Sequence, residues 1–135
     1  MRIIAVLLIS ILTACATKSF TDDISRSQVL RDVEGYAIAS CLAFQSNTYL
    51  KDQGDAWASV IIQRMKGSPD ALAEIVEKVR YEIEQGNMAV IRDDVTPGQD
   101  KNLPVLFCGE IIDLPKVRSA IQKAIIVLEA SYSLR

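Results

Sequence analysis

Three cysteines and no histidine set the limits on what chemistry this 135-residue chain can do. Histidine is the usual general base of serine and cysteine hydrolases and the commonest zinc ligand, so its absence removes the central part of most hydrolytic and zinc mechanisms. A cysteine nucleophile would likewise have no imidazole to draw off its proton. Carboxylate-pair chemistry survives that exclusion, but it needs two acids facing one cleft, and no spacing in the sequence places two there. The expectation is a protein that is not an enzyme and holds no cofactor and no metal. The cysteines Cys15, Cys41 and Cys108 then have to be explained by processing and by structure.

Cys15 closes the first segment. Arg2 is followed by the apolar run Ile3 to Leu12 and by Leu12-Thr13-Ala14-Cys15. One positive charge ahead of an apolar stretch too short to span a bilayer reads as a secretory leader rather than a transmembrane anchor. Small residues directly before a cysteine resemble the lipobox of bacterial lipoproteins, in which that cysteine is acylated and becomes the mature N-terminus. Residues 1–14 are therefore expected to be removed, with lipid on Cys15, residues 15–23 as a tether and residues 24–135 as one domain. Ordinary cleavage after Ala16 is the alternative, because Ala14 and Ala16 also satisfy the small-x-small rule. Ala16 lacks the aspartate associated with inner-membrane retention, which favours the outer membrane. About 120 residues suit one domain with its own core. The formal net charge of −2, or −3 once Arg2 is lost, opposes nonspecific nucleic-acid binding.

With Cys15 lipidated, Cys41 and Cys108 remain as an even pair in an oxidising compartment, where such pairs form disulfides. The bridge would close a loop with 66 residues between the cysteines, stabilising the fold by about 4 kcal/mol in the chain-entropy account. Two buried free thiols, packed as small apolar residues, are the alternative.

Helical periodicity organises the rest. Val29, Val33, Tyr36, Ala37, Cys41 and Phe44 recur at helical spacing from about Ser27 to Phe44, placing Cys41 on a buried stripe, with Gly35 allowing close helix packing. Gln45 to Gly54 reads as a turn, followed by a second helix from Asp55 on which Trp57, Ile61 and Met65 share a face. Trp57 fits a core position better than an interface, because a lone tryptophan on an apolar stripe is usually buried. Ser68-Pro69-Asp70 is a strong start signal for a third helix carrying Leu72, Ile75, Val76, Val79 and Ile83, which Gly86-Asn87 can end. Its charged residues Glu74, Glu77, Lys78, Glu82 and Glu84 read as a solvated face. Met88 to Ile91 is too short to assign to strand or helix, and Arg92 to Asn102 is a loop by every breaker criterion. A fourth helix fits Leu103 to about Ile112, capped by Asn102 and carrying Cys108. Asp113-Leu114-Pro115 opens a fifth with Val117, Ile121, Ala124, Ile125 and Leu128 as its stripe, and residues 131–135 are expected to fray. The predicted fold is all-α: a compact bundle or array of four to six amphipathic helices with one disulfide.

Three segments in this order, Tyr36-Ala37-Ile38-Ala39-Ser40-Cys41-Leu42, Asp55-Ala56-Trp57-Ala58-Ser59 and Val105-Leu106-Phe107-Cys108 followed by Leu114 and Val117, resemble the type VI secretion amidase immunity proteins. The group they resemble neutralises the fourth class of amidase effectors. The likeness spans about residues 27–125. The chain departs from the family pattern at Ser40, where an arginine is usual, at Gly109, where an apolar residue is usual, and in its lipobox. The resemblance implies a helical periplasmic protein, often a homodimer, that occludes the cysteine–histidine active site of a peptidoglycan amidase partly through a protruding loop. Carried onto this chain, it nominates Arg92, Asp93, Asp94, Pro97, Gly98 and Asp100 for effector contact: the carboxylates would meet cationic groups of the enzyme cleft, while Pro97 and Gly98 fix the turn. Tyr49, Lys51 and Asp52 are secondary candidates. The alternative function is a structural or adapter envelope lipoprotein with no inhibitory activity.

Overall fold

A computed structural model describes residues 20–92, 94–96 and 98–133. Cys15 and the leader lie outside the described residues. Five α-helices and one short hairpin make up the described chain: α1 (Phe20–Ala43), α2 (Thr48–Arg64), α3 (Ala73–Glu84), β1 (Val90–Ile91), β2 (Lys101–Asn102), α4 (Pro104–Glu110) and α5 (Pro115–Ser133). The fold is thus all-α with a single disulfide, within the predicted number of helices.

The first helix is the axis of the molecule and packs against all four others. One stripe, Val29, Val33, Ala37 and Cys41, faces the main core, where it meets Leu72, Ile75 and Val79 near and on α3, Phe107 and Cys108 on α4, and Val117, Ile121, Ala124 and Leu128 on α5. The opposite side of α1 receives α2 through small residues: Gly35 and Ala39 are buried there. Over residues 28–43, α1 therefore lacks a clean polar face, because two layers of helix cover it. At about 1.5–3 kcal/mol for each large apolar side chain removed from water, this shared core is the main stabilising term.

Gly54 sets the closest approach. A Cβ at this position would lie 2.3 Å from the Ala43 nitrogen and 2.6 Å from the Ala39 carbonyl oxygen, so the backbones of α1 and α2 touch where only glycine fits. The expected turn through Gly54 is corrected accordingly: α2 begins at Thr48, and Asn47 caps it by accepting from the Leu50 N–H at 3.1 Å. A glycine inside a helix resembles a breaker locally, and here long-range packing overrides that preference.

Other local signals fared unevenly. Ser68 accepts from the Asp70 N–H as expected, but Pro69–Leu72 forms a 3-10 turn before α3 starts. Gly86, at φ +72°, ends that helix region in the left-handed conformation open to glycine. Asn102 does not cap α4; it belongs to β2, and Leu103 precedes the helix without a side-chain cap. Helix α1 starts at Phe20, inside the stretch read as a tether. Of residues 131–135, expected to fray, 131–133 instead continue α5, with Tyr132 only 4% exposed, and 134 and 135 lie outside the described residues.

Candidate functional site

The segment between α3 and α4 is an antiparallel hairpin rather than an irregular loop. Val90 pairs with Asn102 and Ile91 with Lys101, and the Leu103 N–H donates to the Ala89 carbonyl at 2.9 Å to extend the ladder. Met88 and Ala89 are half-buried at its base, whereas all four strand residues are exposed. The ladder thus anchors a projecting element whose ends are held together by main-chain bonds.

At the tip, the Gln99 N–H donates to the Thr96 carbonyl at 3.2 Å, and Gly98 turns the chain at φ +94°. No L side chain adopts that φ readily, so Gly98 has the turn role expected of it. The side chains of Arg92, Asp94 and Asp100 are exposed, while Asp93 and Pro97 lie outside the described residues. Val95, at 91% exposure, is the most solvent-exposed large apolar residue described. Sequence reasoning passed over it, although a valine inside a run of charged and breaker residues was the available signal.

The secondary candidates sit elsewhere. Tyr49, Lys51 and Asp52 are exposed on the first two turns of α2, not in a loop, and α2 packs chiefly on α1. Tyr49 and Asp52 are three residues apart and so share a helical face, while Lys51 is turned away from Tyr49. Among the described residues, no packing interface of note joins this end of α2 to the hairpin.

Among the described residues, the scaffold behind these surfaces is held by a disulfide and by ion pairs of Asp32, Arg118 and Lys123. Cys41 and Cys108 form the predicted disulfide, both fully buried, with Cα atoms 5.4 Å apart. Gln45 covers it: its buried amide Nε2 donates to the Cys41 carbonyl at 3.1 Å and lies 3.5 Å from Cys108 Sγ. Asp32, the buried carboxylate, accepts from Arg64 Nε at 2.9 Å and Nη2 at 2.6 Å on one oxygen and from the Tyr132 hydroxyl on the other. Arg118 joins Glu34 to Asp113, with its guanidinium held above the usual arginine range chiefly by the hydrogen bond to Glu34. Lys123 pairs with Glu74.

Trp57 departs from its expected core position. The residue is 40% exposed and lines a groove on the α1–α2 surface, because α2 rests against one side of α1 and, among the described residues, no helix of comparable length covers its outer face. Comparison with family models, curated proteins and solved structures finds no match to this chain.

Proposed function

We propose that this chain is a periplasmic immunity protein that binds and occludes the active site of a type VI secreted peptidoglycan amidase, protecting the producing cell and its kin from wall hydrolysis. The exposed hairpin is the observation that carries this reading. It presents Asp94, Asp100 and the apolar Val95 on a main-chain ladder anchored to a disulfide-bonded bundle. A pre-shaped projection loses less conformational entropy on entering a cleft than a free loop does. Its carboxylates suit an enzyme cleft lined with cationic groups, and like charges there would reject wrong partners. The order of the three short sequence segments supports the same assignment, as does a disulfide suited to an oxidising compartment.

In this proposal lipid on Cys15 holds the protein at the periplasmic side of the outer membrane, and two copies associate as a homodimer. Tyr49, Lys51 and Asp52 form a secondary contact. The partner is a cysteine–histidine amidase, and a gene for such an enzyme beside this chain's own would support the pairing. Titrating that amidase with the disulfide-intact soluble domain tests the proposal: hydrolysis of peptidoglycan fragments falls linearly to zero at about one equivalent. Full activity at excess domain overturns inhibition and leaves the adapter function, whereas suppression far below one equivalent overturns simple occlusion.

A further inference from the structure

A second surface is independent of the hairpin. Leu30, Gly35, Ile38, Trp57 and Ile112 line a groove of about 320 Å³ whose walls are almost wholly apolar. Gly35 keeps its floor bare: a Cβ there would stand 3.2 Å from Ile61 Cδ1 and 3.6 Å from Trp57 Cζ2. Arg31 borders this groove and also an adjoining notch of about 170 Å³ that Gln28, Arg64, Lys66 and Tyr132 help to line. One side chain thus joins an apolar slot to a cationic one.

The charges around the pair do not cancel. Asp32, in the notch, is already taken by Arg64 and Tyr132, and Glu34, the acid on the groove, is bound by Arg118, which also holds Asp113. Arg31 and Lys66 have no carboxylate partner among the described residues. One uncompensated cation, Arg31, therefore borders the apolar slot and a second, Lys66, lies in the adjoining notch, on a chain whose net charge is −2.

We propose that this composite surface docks an acidic segment of a partner protein, seating an apolar side chain against Trp57 and laying a neighbouring carboxylate on Arg31 and Lys66. The charge of the rim selects an acidic occupant, since a basic segment would meet unscreened like charge. Arg31 touches both depressions, so the apolar and acidic residues are adjacent or next-nearest in the partner, given about 3.3–3.6 Å per extended residue. Both depressions are open along the surface, which fits a protein segment rather than an enclosed lipid chain. An exposed tryptophan beside arginine is also the composition expected of an interface anchor.

Trp57 is the single tryptophan of the chain, so its fluorescence reports on the groove alone. The disulfide-intact mature chain is titrated to several millimolar with acetyl-Asp-Leu-Leu-Glu-amide, with acetyl-Lys-Leu-Leu-Lys-amide and with decanoate. The acidic peptide gives a saturable blue shift at least about ten-fold tighter than the lysine peptide. The double variant R31E/K66E, both positions being exposed, keeps the native circular dichroism and melting temperature and loses about ten-fold or more of that affinity. Equal response to the two peptides, no saturable shift with the acidic one, or undiminished binding by R31E/K66E overturns the proposal. Tighter binding of decanoate than of the acidic peptide overturns it in favour of a lipid. None of these results depends on amidase inhibition, because no hairpin residue lines either depression.

Discussion

The Tyr132 hydroxyl donates a 2.8 Å hydrogen bond to Asp32 Oδ2, joining residues 100 apart and fastening the last turn of α5 to the middle of α1. The other Asp32 oxygen carries Arg64, so three elements meet on one buried carboxylate. Removing the phenol leaves that carboxylate short of a donor. Tyr132→Phe is expected to lower unfolding free energy by about 1.5–3 kcal/mol, the range for hydrogen bonds to charged groups. Urea denaturation of the two proteins measures it, and a loss below a few tenths of a kcal/mol would show the bond contributes little.

The same contact predicts a step in alkaline stability. Burial chiefly, and then the hydrogen bond to Asp32, pushes the Tyr132 phenol up to about 12 from the ordinary 10. The folded state therefore holds this proton over a range where the unfolded chain has released it. The contribution is fully present below pH 10 and is lost as pH rises from 10 through about 12. A rise of this size caps the loss at about 3 kcal/mol. Stability measured against pH should show the wild-type and Tyr132→Phe curves converging across that window, and parallel curves would assign the alkaline loss to other groups.

Removing the disulfide by Cys41→Ala with Cys108→Ala frees a loop spanning 67 positions in the unfolded chain. The chain-entropy account gives a cost of about 4 kcal/mol, which rivals the net stability of a domain this size. Both sulfurs are fully buried beneath Gln45. Dithiothreitol should therefore reduce the folded protein only through opening, and thiol release followed with and without mild urea checks this. Fast release that ignores urea would place the bond within reach of solvent.

The clearest elements in the sequence were α3 and α5, each with one apolar stripe against one core, such as Val117, Ile121, Ala124 and Leu128. The disulfide was legible from cysteine parity and compartment. What escaped was set by distant partners. Gly54 looks like a turn residue until the backbone of α1 lies against it, Tyr132 looks like a fraying end until Asp32 holds it, and Trp57 looks like core until α2 proves to be covered on one side. The hairpin strands, two residues each, are too short to show a period. Of the proposed contact residues, the acidic loop stood out by composition, whereas Val95 emerges from its exposure.

Gly54 and Gly109 should respond oppositely to the same substitution. Gly54→Ala drives a methyl into the backbone of Ala39, Leu42 and Ala43, so α2 must move off α1 at a cost of about 1–3 kcal/mol or more. Gly109→Ala meets nothing within 4 Å and sits inside α4, where alanine is favoured by up to about 1 kcal/mol. Thermal melts of both variants decide the matter. A tolerated Gly54→Ala would mean that the two helices are not in backbone contact in solution.

Charge reversal at the hairpin separates binding from folding. Asp94 is exposed at the projecting end, away from the buried core of the bundle. Asp93→Lys with Asp94→Lys should leave circular dichroism and melting temperature within error, as surface substitutions usually do. Affinity for the proposed amidase partner should fall at least about ten-fold, mainly through slower association, and added salt should narrow the gap between wild type and variant. Val95→Ser in the same background should add a salt-independent loss, because it removes an apolar contact rather than a charge. Association and dissociation rates at two ionic strengths distinguish the effects. Unchanged affinity in the charge variant, with the fold intact, would remove the hairpin carboxylates from the proposed inhibitory surface.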